Sequence, residues 1–357
     1  MPHAYLKTVN EDIEIDQIQS NDHETIFKVG DEKLKDYQIA VLCREVNSDG
    51  SGVKTIQRLQ GLGVKVILDV DDYWVLPKWH PIYRVYSHFA IPEKIIANIR
   101  VANYVTTPNK MLAQHIKEYN DKVLYLPNVP DTNQSQFKRN EILSNRLRFG
   151  WVGGVFHLPD IEPMERSFTK LYKDKELKDK FQVCLGGFNP NKEYNKIESI
   201  MANNYYTLSY DYKNYLSKKT PLLGHVMNNE PYKRLWAKQA DQYVSMYNEL
   251  DVALVPLRSN DFNKCKSALK IVEAASMGCA VIASNTYPYS DVLNEGNSIL
   301  IGHKNPHKEW YEAMKWSIEN PDKVAILSSQ LSIDMKNTFN IDKITKERKD
   351  FYTWLTK

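Results

Sequence analysis

The sequence predicts an α/β protein built from two doubly wound parallel sheets in tandem. Apolar runs of strand length alternate with segments of helical periodicity, first over residues 37–129 and again over residues 147–301. Alternation at such short spacing is typical of βαβ units, whose strands pair in parallel. The chain has 357 residues, which is long for one domain and sufficient for two.

The first half supplies four predicted strands and two predicted helices. Residues 53–62 carry apolar side chains at helical spacing, and Gly61 and Gly63 end that helix. A second helix is predicted over residues 95–101. The strands are predicted at 37–43, 64–70, 104–108 and 123–129.

Residues 131–145 are rich in Asp, Asn, Gln and Ser and lack apolar periodicity, so the domain linker is expected there. The alternation then resumes. The predicted strands are 147–152, 181–185, 252–257, 280–283 and 298–301, and the predicted helices are 160–173, 241–250, 267–277, 306–319, 322–339 and 341–355.

Composition excludes several classes of protein. No apolar run approaches the roughly 20 residues that cross a bilayer, and the first ten residues lack the apolar core of a signal peptide. The four cysteines show no Cys-x-x-Cys spacing and the nine histidines no paired-ligand spacing, which argues against a disulfide framework and a zinc site. We therefore expect a cytoplasmic protein with free thiols and no metal.

The most informative stretch is residues 252–283, which alternates strand, loop, helix, Gly stop and strand. Lys266, Ser267 and Lys270 stand at the predicted helix start, where free backbone N–H groups and the helix dipole favour a phosphate. The two lysines are four residues apart, so they are expected on one helix face, where they would add charge-assisted hydrogen bonds to a diphosphate. Glu273 is expected to project from the same helix, where its carboxylate can hold sugar or ribose hydroxyls. The stretch predicts a nucleotide-sugar site.

This stretch resembles the donor-binding helix of retaining glycosyltransferases with the GT-B fold, whose pattern is Glu-x7-Glu followed by a Gly-Pro-Val-Ile-Ala strand. Glu273 matches the second Glu, which in that family commonly contacts the donor ribose. Cys265 stands where the first Glu would fall.

Two further motifs resemble one sub-branch of the same family, known from bacterial and phage enzymes. Residues 148–154, with His157 and Asp160 after them, resemble the first strand and glycine loop of its C-terminal domain. Residues 66–74, which contain Asp69-Val70-Asp71-Asp72, resemble a strand end in its acceptor domain. Asp-x-Asp is also the metal motif of the GT-A fold, but a GT-A protein would lack the second α/β half.

The resemblance implies two Rossmann-like domains that face a cleft. An acceptor-side domain is expected over residues 1–135 and a donor domain over 146–338, and residues 339–357 form a helix that returns to the first domain. The residues implied at the donor are Gly153, Gly154, His157, Arg258, Lys266, Ser267, Lys270 and Glu273. Those implied at the acceptor are Arg44, Asp71, Asp72 and His80, and the catalytic roles fall to Asp72, Lys266 and Glu273.

The implied activity is transfer of a hexose from a nucleotide sugar, with UDP expected from family frequency, with retention of configuration and without a metal. The acceptor is either a glycan or DNA with hydroxymethylated pyrimidines. Basic and aromatic residues interleave over residues 205–238, which is one footprint of nucleic-acid binding and also fits a solvated insertion. Two other classes stay open: a sugar-nucleotide 2-epimerase of GT-B fold, and a non-catalytic sugar- or nucleic-acid-binding module, suggested by Cys265.

Overall fold

The structure is a computed structural model that describes residues 5–7, 12–16, 29–46, 51–140, 142, 144–202 and 230–357. Its strands are β1 (Ile39–Cys43), β2 (Lys65–Asp69), β3 (Tyr104–Thr107), β4 (Val123–Tyr125), β5 (Leu147–Val152), β6 (Phe181–Phe188), β7 (Tyr232–Trp236), β8 (Val252–Val255), β9 (Ala280–Ser284) and β10 (Ile299–Ile301).

The α-helices are α1 (Asp31–Leu34), α2 (Gly52–Gly61), α3 (Tyr83–His88), α4 (Ile91–Val101), α5 (Lys110–Lys117), α6 (Leu158–Ile161), α7 (Glu165–Lys173), α8 (Lys192–Ala202), α9 (Asp261–Lys264), α10 (Leu269–Ser276), α11 (Pro306–Glu319), α12 (Pro321–Thr338) and α13 (Ile341–Leu355). Short 3₁₀ helices include Val155–His157 and Tyr243–Glu249. None of the helices among the described residues combines the length and the apolar character that a bilayer span requires.

The first sheet is parallel and runs in chain order, β1-β2-β3-β4. Side chains alternate between its faces, as strand geometry requires. Val66 and Leu68 of β2 pack in the apolar clusters that include α2 and α4, whereas Ile67 packs with Tyr352 of α13. The helices between the strands and the helix α13 therefore cover opposite faces of this sheet.

The second sheet has six parallel strands in the order β10-β9-β8-β5-β6-β7. Its central strands are buried along their full length, as expected of a sheet with helices on both faces. The strand order reverses between β5 and β8, because β5 pairs with β6 on one side and with β8 on the other. This arrangement is the doubly wound topology predicted for the second half.

The chain divides into two compact units. The first contains residues 1–131, 260–267 and 339–357, and the second contains residues 132–259 and 268–338. Residues 260–267 thus pack with the first unit, although the sequence analysis included them in the donor domain.

Several details of the fold differ from the sequence-based expectations. The helices α3, α5 and α8 are among those not predicted, and the helix expected over 160–173 is divided into α6, a 3₁₀ turn and α7. The helix expected over 267–277 begins only at Leu269, and the helix expected over 241–250 is a 3₁₀ helix, Tyr243–Glu249. The strand β7 was not predicted. Its cations Lys233 and Arg234 made the segment look solvated, but both side chains are buried in ion pairs.

Candidate functional site

The candidate site of the second unit lies where its strand order reverses. In doubly wound sheets, ligands bind beyond the carboxyl ends of the strands at this switch point. The chain leaves β5 through Gly153 and Gly154 and leaves β8 through residues 256–259. Helix α10 follows β8 after the excursion of residues 260–267 into the first unit.

Lys270 of α10 reaches the end of β5. Its Nζ donates a hydrogen bond of 2.6 Å to the carbonyl of Val152 and lies 5.5 Å from the centre of the Trp151 ring. Gly153 makes this position possible, because a Cβ there would stand 2.7 Å from that ammonium nitrogen. The Gly153 carbonyl in turn accepts a 2.6 Å bond from the Tyr194 hydroxyl. An ammonium group is therefore fixed at the glycine turn.

Glu273 lies one turn further along α10 and is buried. Its two carboxylate oxygens each accept a hydrogen bond from a tyrosine hydroxyl, one from Tyr243 and the other, at 3.4 Å, from Tyr247. Burial raises the pKa of the carboxyl, while the Tyr243 hydrogen bond and the charge of Lys270 oppose that rise. The tyrosines were not predicted, since nothing in their spacing distinguishes them from core residues.

The loop after β5 carries a second polar group. His157 Nδ1 lies 2.9 Å from Asp160 Oδ2, and Asp160 Oδ1 accepts a 2.9 Å bond from the backbone N–H of Arg258. Asp160 is almost fully buried, so it ties the β5 loop to the end of β8. The Arg258 guanidinium points instead to Glu162, at 3.2 Å, and is partly exposed.

Lys266 does not share a helix face with Lys270, contrary to the expectation from their spacing. It lies in the turn between α9 and α10, within the first unit, as does Ser267. The side-chain amide of Asn109 donates to the carbonyls of Lys264 (2.9 Å) and Lys266 (2.6 Å) and so holds this turn. Asn109 was recognisable from the sequence only as a helix cap.

Cys265, at the position of the family's first Glu, is fully buried in the apolar cluster of the first unit. Burial raises the pKa of its thiol to about 12. A neutral thiol among apolar side chains does not reproduce a solvent-facing carboxylate.

The acceptor-side candidates of the first unit lie at the carboxyl ends of β1 and β2. Arg44 Nη1 stands 3.4 Å from Asp71 and 3.5 Å from Asp72, and its Nη2 donates to the Tyr86 hydroxyl at 3.4 Å. The Tyr86 hydroxyl donates to Glu45 at 2.7 Å. Partial burial and the neighbouring Asp72 raise the pKa of Asp71, and Arg44 opposes this. One arginine thus holds both carboxylates.

His80 is buried in the same unit, with its ring 5.5 Å from that of Phe262. Lys266 Nζ lies 5.1 Å from the centre of the Phe262 ring. Burial and the charge of Lys266 lower the pKa of His80, which keeps the imidazole neutral near pH 7. Two of the predicted residues, His80 and Lys266, are therefore neighbours around Phe262.

The basic segment 205–238 is only partly described, because residues 203–229 lie outside the described residues. Within its described part, Lys233 Nζ bonds to Glu249 at 2.6 Å and Arg234 pairs with Glu198. These two cations are neutralised inside the second unit and are not available to a nucleic-acid backbone.

A cavity of about 600 Å³ lies elsewhere in the first unit. It opens at the amino ends of the strands, beside Lys65, Tyr104, Lys122 and Trp354. This is the edge of the sheet opposite to Asp71 and Asp72. In the part of the chain that the structure describes, no cluster of three His, Cys, Asp or Glu side chains could hold a metal ion.

Comparison with solved structures identifies the fold. Sucrose-phosphate synthase from Thermosynechococcus elongatus superposes with a TM-score of 0.62 at 14% identity, over 95% of this chain and 80% of the other. Anabaena Alr3699/HepE in complex with UDP and glucose gives 0.62 at 12% identity, over 92% and 81%. A UDP-forming α,α-trehalose-phosphate synthase from Burkholderia xenovorans gives 0.60 at 11% identity, over 99% and 78%. The fold is GT-B.

The sequence comparison adds a partial match to this GT-B protein. Residues 221–320 match the family model described as Glycosyl transferases group 1. This range contains β8, α10 and β9, and with them Arg258, Lys270 and Glu273. No curated protein sequence matched. The match and the fold together support a glycosyltransferase of GT-B type.

Proposed function

We propose that this protein transfers a hexose from a UDP-sugar to an acceptor hydroxyl, with retention of configuration and without a metal ion. The observation that carries the proposal is the pairing of Lys270 and Glu273 on α10. Lys270 places an ammonium group at the glycine turn after β5, and Glu273 places a hydrogen-bonded carboxylate one turn away. UDP is favoured because two of the similar structures carry UDP in their descriptions.

In this proposal Lys270 stabilises the leaving diphosphate. Negative charge grows on the phosphate oxygens as the bond to the sugar breaks, and a fixed cation stabilises the transition state more than the ground state. Gly153 lets Lys270 approach the turn, Gly154 leaves room for the donor, and their neighbour His157 contacts it. Arg258 and Ser267 complete the donor side as weaker contacts. A cationic side chain performs here the charge neutralisation that other enzymes obtain from a divalent ion.

Glu273 is assigned to the ribose. The two tyrosine hydroxyls donate to it, so its oxygens retain lone pairs that can accept hydrogen bonds from ribose hydroxyls. Lys266 is proposed as a second cation for the diphosphate. On the acceptor side, Asp72 orients the attacking hydroxyl, with Asp71, Arg44 and His80 around it. The leaving phosphate itself takes the proton on the same face of the sugar, which is the expectation for retention.

The acceptor is a glycan or DNA with hydroxymethylated pyrimidines. The buried ion pairs of Lys233 and Arg234 weaken the case for DNA, since they remove two cations from the segment that suggested it. The other basic residues of that segment up to residue 229 lie outside the described residues.

Release of UDP from a panel of UDP-sugars tests the proposal, with and without glycan and modified-DNA acceptors. Lys270→Ala should lower the turnover number by about 10²- to 10³-fold, the typical effect of removing one charge-stabilising donor. Lys308→Ala removes an exposed lysine from α11 of the same unit and should leave turnover unchanged. Equal activity of the two variants would move the phosphate site away from α10.

A second candidate is a sugar-nucleotide 2-epimerase, which the His157–Asp160 pair favours because an imidazole held by a buried carboxylate can act as acid or base. An epimerase would convert the nucleotide sugar to its 2-epimer with no second substrate. Nuclear magnetic resonance of UDP-GlcNAc incubated with the protein alone distinguishes the two, because the proposed transferase leaves the sugar configuration unchanged.

A further inference from the structure

The first unit exposes a group of large apolar side chains directly after Asp71 and Asp72. Ten large apolar side chains of the described residues are strongly exposed, and half of them fall within only fifteen residues. They are Val75, Trp79, Ile82, Val85 and Phe89, with exposed fractions from 36% to 54%. A cluster of this kind, unlike single exposed apolar residues, marks an interaction surface. We call it the 75–89 surface.

The geometry of α3 groups three of these side chains. Ile82, Val85 and Phe89 are spaced at i, i+3 and i+7 at and around the helix, which places them on one side. Tyr86 points inward: it is buried in the first unit's core, and its hydroxyl bonds to Glu45. The helix α3 therefore exposes its apolar stripe to solvent on one side, while Tyr86 on its other side packs in the core of the first unit.

The charge of this stretch is one-sided. Residues 73–92 contain no Asp or Glu, whereas Lys78 and Arg84 are exposed cations and His88 is an exposed titratable group. Tryptophan and phenylalanine beside lysine and arginine are the composition of protein surfaces that lie in the headgroup region of a bilayer. Anionic headgroups would complement the two cations, and the acyl boundary would accept the apolar stripe.

Two other occupants fit less well. A symmetric dimer through this surface would bring the same patch of each copy together, so its cations would face each other without a counter-charge. A nucleic acid could stack on Trp79 and Phe89, but it would find only two permanent cations, too few to neutralise the phosphates of a strand laid across this surface.

We propose that the 75–89 surface docks the protein on an anionic membrane surface. Docking of this kind is peripheral: apolar side chains enter the headgroup boundary while the folded unit stays outside. It places Asp71 and Asp72 near the lipid, because Arg44 links them to Tyr86 of α3. Only one consequence rests on the proposed function, namely that the acceptor hydroxyl belongs to a lipid-linked glycan and not to DNA.

Sedimentation with vesicles tests the docking without any nucleotide sugar, so its failure is separate from a failure of the proposed activity. The full chain should bind vesicles of phosphatidylcholine with 30% phosphatidylglycerol and should bind pure phosphatidylcholine weakly. Combined substitution Ile82→Ser, Val85→Ser and Phe89→Ser should weaken binding to the anionic vesicles by at least about ten-fold, because the apolar stripe is lost.

The matched control replaces the exposed residues Ile326 and Ile333 of α12 by Ser, which removes similar apolar surface from the second unit and should leave vesicle binding unchanged. A second variant, Lys78→Ala with Arg84→Ala, guards against misfolding, since both residues are exposed. It should weaken binding by about 30-fold at low salt, or about five-fold for each cation, and the difference should shrink at high salt.

Three results would overturn the proposal. The first is a wild-type chain that remains in the supernatant with both kinds of vesicle. The second is equal binding by the α3 variant and the α12 control. The third is a dimer in size-exclusion chromatography that the α3 variant abolishes, with no binding to vesicles. The last result would identify the surface as a contact between two copies of the chain.

Discussion

Replacing Gly153 by Ala tests whether a glycine is required there because other side chains pack closely against it, and not because the turn needs a flexible backbone. The added Cβ would stand 2.6 Å from Cζ2 of Trp151 and 2.7 Å from Nζ of Lys270. The lysine end can swing away, but the Trp151 ring is buried and cannot. We therefore expect the overpacking cost of a filled core, about 1–3 kcal/mol of unfolding free energy, together with loss of the Lys270–Val152 hydrogen bond.

Gly154→Ala is the matched control. A Cβ at Gly154 meets no atom within 4 Å, and its backbone angles, φ −94° and ψ 164°, suit any residue. Alanine there should raise the unfolding free energy by about 0.4–1 kcal/mol, because it restricts the unfolded chain. The two variants should thus differ by at least about 1.4 kcal/mol.

Urea unfolding followed by circular dichroism measures this difference as a shift of the midpoint between the two variants. Equal midpoints would refute the close approach of Gly153 to Trp151 and Lys270. Turnover adds a second comparison. Gly153→Ala should lose activity with its lysine displaced, whereas lost activity in a stable Gly154→Ala variant would indicate that the donor itself packs against that glycine.

Three further outcomes are expected. Burial raises the pKa of Glu273, so the folded state binds a proton more tightly than the unfolded state. The unfolding free energy of the wild type should therefore fall as the pH rises from the ordinary pKa of a glutamate to the raised pKa of Glu273. Glu273→Gln should lack that fall, and urea midpoints measured at about pH 4 and pH 7 compare the two proteins. Lys233→Met strands the Glu249 carboxylate and should cost about 3–5 kcal/mol by thermal unfolding, without changing affinity for duplex DNA. Asn109→Asp keeps the oxygen that caps α5 but loses both hydrogen bonds that the amide donates to the 264–266 turn. The KM for the nucleotide sugar should therefore rise as Lys266 is displaced, and an unchanged KM would contradict the role of Lys266.

The sequence predicted the elements whose apolar pattern is strong and local. All nine predicted strands exist, and β5 has the predicted bounds, Leu147–Val152. The doubly wound second sheet followed from the alternation of strands and helices, because short right-handed crossovers leave few other topologies. Gly153 and Lys270, picked from motifs more than a hundred residues apart, prove to be neighbours.

The features that could not be predicted depend on partners distant in the chain. Lys233 looked like a surface cation because its counter-charge, Glu249, comes from a different element. Lys266 and Lys270 looked like one helix face because the helix period was applied through a turn that Asn109 holds from the first unit. Tyr243 gave no signal at all, since only folding brings it to Glu273.

The position of α13 has a consequence for how the protein is made. One face of the first sheet, around Ile67, is covered by residues of the last helix, Ile341–Leu355. Domains generally fold as units while the chain leaves the ribosome, N-terminal first. Here the first 131 residues are synthesised long before α13, so the apolar face of the first sheet stays uncovered until the second unit has also been synthesised. We therefore expect the growing chain to need chaperones for longer than a protein whose first domain closes on itself, and an expression fragment that ends at the linker to aggregate.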